Sequence, residues 1–244
     1  MHFAGTAKAM AAGLLALLAA GCAGVPRDAS LPVDDPNEQF NRGVLKFNQA
    51  VLDPASTVVK AVTPGPLLNR LRDLDSNLRE PRVFANNILQ GRFNAAGITF
   101  GRFLFNSTFG LGGLFDVATP GGLPQQTGDF GQTLFVWGVP AGTYVEAPYF
   151  GPSTQRDSIG GVVDTVANPV GLGLGIVGWP ASVATGALGA QVHLGDWQKA
   201  EDASIDFYAF LRSGYYQTRR AQLREGLGLP PEVASPATLT PGQQ

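Results

Sequence analysis

Apolar residues recur at helical spacing in five stretches of the chain. Asp35-Pro36 marks a helix start, with aspartate as N-cap and proline in the first turn, and Phe40, Val44, Phe47 and Val51 follow on one face. Thr63-Pro64-Gly65-Pro66 introduces a second stripe of Leu67, Leu71, Leu74 and Leu78. Pro81 is expected to open a third helix with Phe84 and Ile88 inward, ending at Gln90-Gly91. Phe93, Ala96, Phe100 and Leu104 predict a fourth. Residues 196–226 read as one long helix with Phe207, Leu211 and Tyr215 on one side. Strand-like alternation is nearly absent; residues 132–137 are the best candidate, and short. There is no repeat of a solenoid or propeller. The chain reads as one all-α domain of short amphipathic helices joined by Gly/Pro turns, with a Pro-rich polar tail over 227–244.

Charge changes this picture. Only 15% of the 244 residues are charged, against about 25% in ordinary soluble proteins. The deficit is local: residues 23–102 carry 18 charges, 103–195 carry six and 196–244 carry 11. Between Thr165 and Gly195 there is none if His193 is neutral. That stretch is as long as a membrane helix but is cut by Asn168-Pro169 and Trp179-Pro180. It reads either as two short segments that enter or line a membrane, or as a buried core hairpin. Glycine is also in excess, 32 residues, roughly 13% against ~7% on average. A net charge of −2 gives no electrostatic reason to bind nucleic acid.

The first 21 residues have the order of a signal peptide: Lys8, a 12-residue apolar run over 9–20, then small residues. Leu18-Ala-Ala-Gly-Cys22 resembles a bacterial lipobox, which implies acylation of Cys22 and cleavage just before it. Ala19 departs from the usual leucine three places before the cysteine. Cys22 is the sole cysteine, so no internal disulfide forms and an exported free thiol is disposed of. Two or more acyl chains anchor a protein stably. Residues 22–34 then form a tether, and Ala23 favours the outer membrane over retention in the inner one.

Enzyme chemistry is hard to build from this composition. The mature chain has one histidine, His193, and no free thiol, too few for a His/Cys zinc site. His193 lies in a Gly/Ala-rich stretch without a nucleophile elbow. Gly173-Leu-Gly175-Ile-Val-Gly178 spells a dinucleotide fingerprint without its strand and helix context. Gly171-x-x-x-Gly175 would let helices approach closely in lipid. No catalytic residue, metal site or cofactor is expected.

Ordered blocks resemble the MlaA (VacJ) family of outer-membrane lipoproteins. They are Asp35-Pro36-x-Glu38-x-x-Asn41-Arg42, Phe47-Asn48, Asn77-Leu-Arg-Glu-Pro81 and Asn87-Ile-Leu-Gln-Gly91. Arg102-Phe-Leu-Phe-Asn106-Ser-Thr108, Gly110-Leu-Gly-Gly-Leu-Phe-Asp116, Asp129-Phe-Gly-Gln132, Trp137-Gly138 and Gly151-Pro-Ser-Thr-Gln-Arg156-Asp157 follow in order. Asp206, Tyr208, Arg212, Tyr216 and Arg219 fit the last helix, while Thr143 stands where the family usually has proline. The similarity covers about residues 35–220. It implies a ring-like helical protein in the inner leaflet of the outer membrane, with a periplasmic-side lipid anchor. It also implies a role in keeping that membrane asymmetric. Phospholipids misplaced in the outer leaflet would pass through an amphipathic channel to a periplasmic carrier, MlaC, beside a trimeric porin. A porin-bracing lipoprotein without transport, and a phospholipase-like enzyme, are the alternatives.

Within the low-charge middle, Asn106, Asp116, Asp129, Gln132 and Glu146 are isolated polar groups in apolar context. They are candidates for facing the channel or a headgroup; as Asx residues, Asn106, Asp116 and Asp129 equally suit caps and turns. Gly138, Gly142 and Gly151 bracket a loop that is either a hinge or a rigid turn. Arg70, Arg72, Arg79, Arg82, Arg92 and Arg102 either meet phosphates or form a solvated, ion-paired face.

Overall fold

The computed structural model describes residues 34–62, 64–166 and 201–229. Cys22 and the leader, most of the tether, the stretch around Asn168-Pro169 and Trp179-Pro180, the glycine motifs near 171–178, His193 and the tail from 230 lie outside the described residues. The fold is mostly helical: α1 (Glu38–Val62), α2 (Gly65–Leu89), α3 (Phe93–Thr108), α4 (Phe130–Val136), α5 (Gln155–Val166) and α6 (Phe207–Gly226). A hairpin of β1 (Tyr144–Ala147) and β2 (Gly151–Thr154) stands between α4 and α5, with Tyr144 opposite Thr154 and Ala147 opposite Gly151.

Local chemistry sets the helix ends. Pro64 caps α2 through its carbonyl, which accepts Leu67 and Leu68 N–H at 3.0 and 3.1 Å. Pro81 does not open a new helix as expected but sits inside α2. The end at Gln90-Gly91 is a Schellman motif: Gly91 takes φ +74°, and Arg92 N–H reaches the Asn87 carbonyl at 2.8 Å. Residues 132–137 fall in helix α4 and the turn after it, not in a strand. Asp129 and Gln132 form a reciprocal capping box that satisfies the first free N–H groups and overrides the β-preference of the residues that follow. The last helix begins at Phe207, capped by Asp206, after a break at residues 204–206. It closes on Gly228 in a second Schellman motif that extends to Leu229.

The hairpin escaped sequence reading because four-residue strands carry little periodicity, and Gly-Pro-Ser-Thr contains no strong strand former beyond threonine. Its anchor is Tyr144, fully buried among Leu45, Tyr208, Leu211 and Tyr216, with Phe207 and Tyr215 packed against that cluster. The Tyr144 ring lies 5.9 to 6.1 Å from those of Tyr208, Tyr215 and Tyr216.

Small residues bring the helices together. α3 turns Ala95, Ala96 and Thr99 inward, and α2 and α3 pack along their length. A Cβ on Gly160 of α5 would stand 2.3 Å from the Gly131 backbone nitrogen of α4. Part of the glycine excess therefore serves helix contact.

Candidate functional site

The burial of this fold is inverted. α2 buries Asn77, Glu80, Val83, Asn86 and Asn87; α3 buries Thr99, Arg102 and Asn106 beside its alanines. Large apolar side chains face out: Phe40, Phe93, Phe109, Leu111 and Phe150 are each about 70–80% exposed. Ile88, expected inward, is exposed, and Phe84 is half-buried against Phe100 at 5.8 Å. Large apolar patches are rare on soluble monomers, and buried charges persist only when paired.

Every sequence-predicted polar candidate is held by protein partners. The Asn106 side-chain carbonyl accepts Val117 and Ala118 N–H, both at 2.9 Å, and its amide donates to Asp116 at 3.2 Å. Asp116 also accepts from the Thr119 N–H and hydroxyl and from Arg102. Burial pushes its carboxyl up, but the bonds from Thr119 and Arg102 win and hold it below the usual range. Arg102, buried in α3, pairs through Nε with Glu80 Oε1 at 2.7 Å and donates to the Thr119 hydroxyl and the Leu123 carbonyl. Burial raises the Glu80 pKa despite that arginine.

Asp129 caps α4 and takes a bidentate pair from Arg219 of α6, at 2.6 and 2.8 Å. Gln132 completes the capping box and donates to the Gln222 carbonyl at 2.9 Å. Arg219 continues to Asp157 of α5, which also accepts from Arg156 Nε and the Tyr215 hydroxyl. Burial opposes ionisation of Asp157, but Arg219 and Arg156 force its pKa far below the ordinary value. No spacing in the chain singles out Asp157 and Arg219 as a buried ion-pair network joining three helices.

Glu146 lies on β1, buried, accepting the Tyr144 hydroxyl at 2.7 Å and the Asn48 amide at 3.5 Å. Burial, with only these neutral donors against it, pushes its pKa up to about 7. The free edge of β1 meets two asparagines of α1 instead of a strand. Asn41 bonds the Tyr144 carbonyl and the Glu146 N–H; Asn48 bonds the Ala147 carbonyl and the Tyr149 N–H. Seven residues apart, they share one helix face. Asp35 is not the N-cap expected: α1 starts at Glu38, and the Asp35 carboxylate accepts from Asn41, Tyr208 and Arg212.

Gly138, Gly142 and Gly151 all take positive φ, between 70° and 88°. Of the arginines, Arg70, Arg79 and Arg92 pair with Asp73, Asp75 and Glu225, and Arg102 is internal, so for these four the ion-paired reading holds. Among the described residues no three His, Cys, Asp or Glu side chains group as metal ligands, and no helix is long and apolar enough to cross a membrane.

Three comparisons bear on this inverted architecture. A family model described as MlaA lipoprotein matches residues 33–222. The chain is 36% identical over 211 residues to the "Intermembrane phospholipid transport system lipoprotein MlaA" of Escherichia coli, covering 82% of each chain. It is 33% identical over 204 residues to the protein of the same name from Haemophilus influenzae, covering 79% of this chain and 80% of that one. A solved structure described as the "Structural basis for maintenance of bacterial outer membrane lipid asymmetry" aligns with a TM-score of 0.68 at 31% identity, over 78% of this chain and 98% of that one. With a family match spanning most of its length and relatives aligned over four-fifths of it, the chain belongs to the MlaA lipoprotein family.

Proposed function

We propose that this chain is an outer-membrane lipoprotein, anchored through Cys22 in the periplasm-facing leaflet, that draws mislocalised phospholipid from the outer leaflet and hands it intact to a periplasmic carrier. The observation that carries this reading is the inversion itself: phenylalanines outward around a buried polar network, in a family whose relatives are named for phospholipid transport. A phospholipid's two tails hold roughly 30 CH₂ groups, so exposing them to water costs on the order of 20 kcal/mol. A transporter must hold such a molecule in an amphipathic path. Asp116 and Asp129 keep 29% and 32% of their side chains exposed and are the better candidates for meeting the headgroup. Asn106, Gln132 and Glu146 are buried and set the walls. Gly138, Gly142 and Gly151 frame the hairpin as a gate. The partners are a trimeric porin and the carrier MlaC, and the transfer needs no bond cleavage in this chain.

The test uses the full lipidated chain in vesicles holding labelled phospholipid, with the carrier outside. Intact labelled lipid should reach the carrier, and deletion of the gene should raise surface phospholipid in cells. Both should be unaffected by His193→Ala. Released fatty acid would make the protein an enzyme. Porin binding without transfer would make it a brace.

A further inference from the structure

Between α1 and the hairpin runs a groove of about 480 Å³, bounded by Gln39, Phe40, Gly43, Val44, Phe47 and Pro148. Its lining is almost wholly carbon. Phe47 stands edge-on to Tyr149 at 5.6 Å, which extends the apolar wall along the hairpin turn. Gly43 lies inside α1, where glycine weakens a helix relative to alanine. Among the described residues, and apart from its own helix backbone, nothing comes within 4 Å of the place its Cβ would take. Glycine at such a point leaves backbone open to close approach by something else. At roughly 30 Å³ per water-sized group, the groove takes on the order of 16 such groups, about one acyl tail. Lys46 is exposed one turn beyond Gly43 on the same helix face, a cation at the margin of an apolar channel. Two of the lining residues, Phe40 and Phe47, are themselves exposed. The volume, the apolar lining and the Lys46 cation at its margin together fit a lipid with an anionic head better than a protein partner.

We propose that this groove docks one acyl tail of a phospholipid, with its phosphate at Lys46. The proposal rests on the reading that the chain sits among membrane phospholipids, and it names a resting place for the lipid on the outer face of α1.

The full lipidated chain is placed in phosphatidylethanolamine vesicles containing phosphatidylglycerol with a photoactivatable diazirine on one tail. After irradiation, labelled peptides are mapped by mass spectrometry. Label should concentrate on residues 39–47. Gly43→Leu puts a side chain into the groove from a point where its Cβ has open space among the described residues, and should lower that label at least fivefold while label on α3 and the melting curve stay unchanged. Val44→Gln, which makes the floor polar, should act in the same direction, and Lys46→Glu should lower the label several-fold. Equal label on α1 and α3, unmoved by Gly43→Leu, overturns the groove and leaves the membrane reading standing. Label nowhere on the chain overturns both. Label on 39–47 that appears only after Cys22→Ala shows the chain's own acyl group in the groove, and also overturns the proposal.

Discussion

The side-chain carbonyl of Asn41 accepts the backbone N–H of Glu146 at 3.1 Å, while the Asn41 amide reaches back to the Tyr144 carbonyl at 3.3 Å. One asparagine on α1 thus makes the two hydrogen bonds that a neighbouring strand would make. Asn48 makes a similar pair of bonds at the turn that follows the strand, to the Ala147 carbonyl and from the Tyr149 N–H, and the Tyr144 N–H on the same edge goes to the Asp34 carbonyl. The exposed edge of a two-stranded sheet is an aggregation liability, and here it is closed by side chains from a helix. Tyr149, held this way at φ +66°, keeps its ring against Phe47.

Asn41→Ala leaves a buried N–H and a buried carbonyl of β1 unpaired. The expected cost is about 1–3 kcal/mol for each orphaned group. Thermal unfolding should show a fall in Tm of several degrees, at about 2–4 °C per kcal/mol for a chain of this size. Asn41→Asp keeps the acceptor for Glu146 N–H and should lose less at low pH than at neutral pH, because an ionised aspartate would face the Tyr144 carbonyl.

Arg102 and Glu80 form a buried pair, 2.7 Å apart, with both side chains almost inaccessible. Removing one charge strands the other, so Arg102→Ala should destabilise by about 3–5 kcal/mol. Arg102→Lys should also destabilise substantially, since one ammonium cannot serve Glu80, Asp116, Thr119 and the Leu123 carbonyl together. Replacing both partners by Leu and Met should recover part of the loss, measured by denaturant titration.

Glu146 gives stability a pH slope of definite sign. Its folded pKa is about 7 against an ordinary glutamate value of 4.5, so between these values the folded state binds more protons than the unfolded one. Stability is full below pH 4.5 and falls as pH rises to about 7, by roughly 3 kcal/mol in total. Glu80 and Asp164, both raised by burial, slope in the same direction. Glu146→Gln removes only this group's share, so the variant should gain on the parent from pH 5 to pH 8. A parallel pair of stability curves over that range would refute the assignment.

Two adjacent glycines of α5 should respond oppositely. A Cβ at Gly160 meets Gly131 backbone atoms at 2.3 and 2.6 Å, so Gly160→Ala must push α4 and α5 apart. A loss of more than about 2 kcal/mol is expected, in the range of core overpacking. Among the described residues Gly161 has nothing within 4 Å of the same point, and it is exposed. Gly161→Ala should stabilise by about 0.5–1 kcal/mol through helix propensity. The two melting curves, run side by side, separate close helix contact from general helix stiffening.

How far the sequence could be read varies by element. The end of α2 was plain, because Gln90-Gly91 specifies its own turn chemistry within a few residues. The start of α4 is set just as locally, by Asp129 and Gln132 at capping-box spacing, but it was misread, because the Leu-Phe-Val-Trp run looks like a strand. The hairpin was not legible, since β1 is fixed by Asn41 and Asn48, about 100 positions away, and by Tyr144 packing on α6. Asn106, Asp116 and Asp129 were visible as isolated polar groups; Asp116 and Asp129 each accept an N–H three residues on, as Asx residues do, whereas Asn106 accepts from Val117 and Ala118, which no local rule supplies. That Arg219 would join Asp129 to Asp157 was not visible, because an ion pair between distant helices leaves no spacing in the chain.

The sequence by itself determined that the chain is mostly helical, where several helices begin and end, and that charge is withdrawn from its middle third. Its ordered motifs also carried the family. Only the tertiary structure decided which way each face points. A period of 3.6 says that Phe93, Phe100 and Leu104 share a side of α3, and nothing about whether that side meets the core. In this fold the inner side is taken by Glu80, Arg102, Asn106 and Asp116, which bond to one another there, and the phenylalanines go outward. Periodicity is a property of one helix; the choice between inside and outside depends on the partners and the surrounding medium, and those are set by the whole fold.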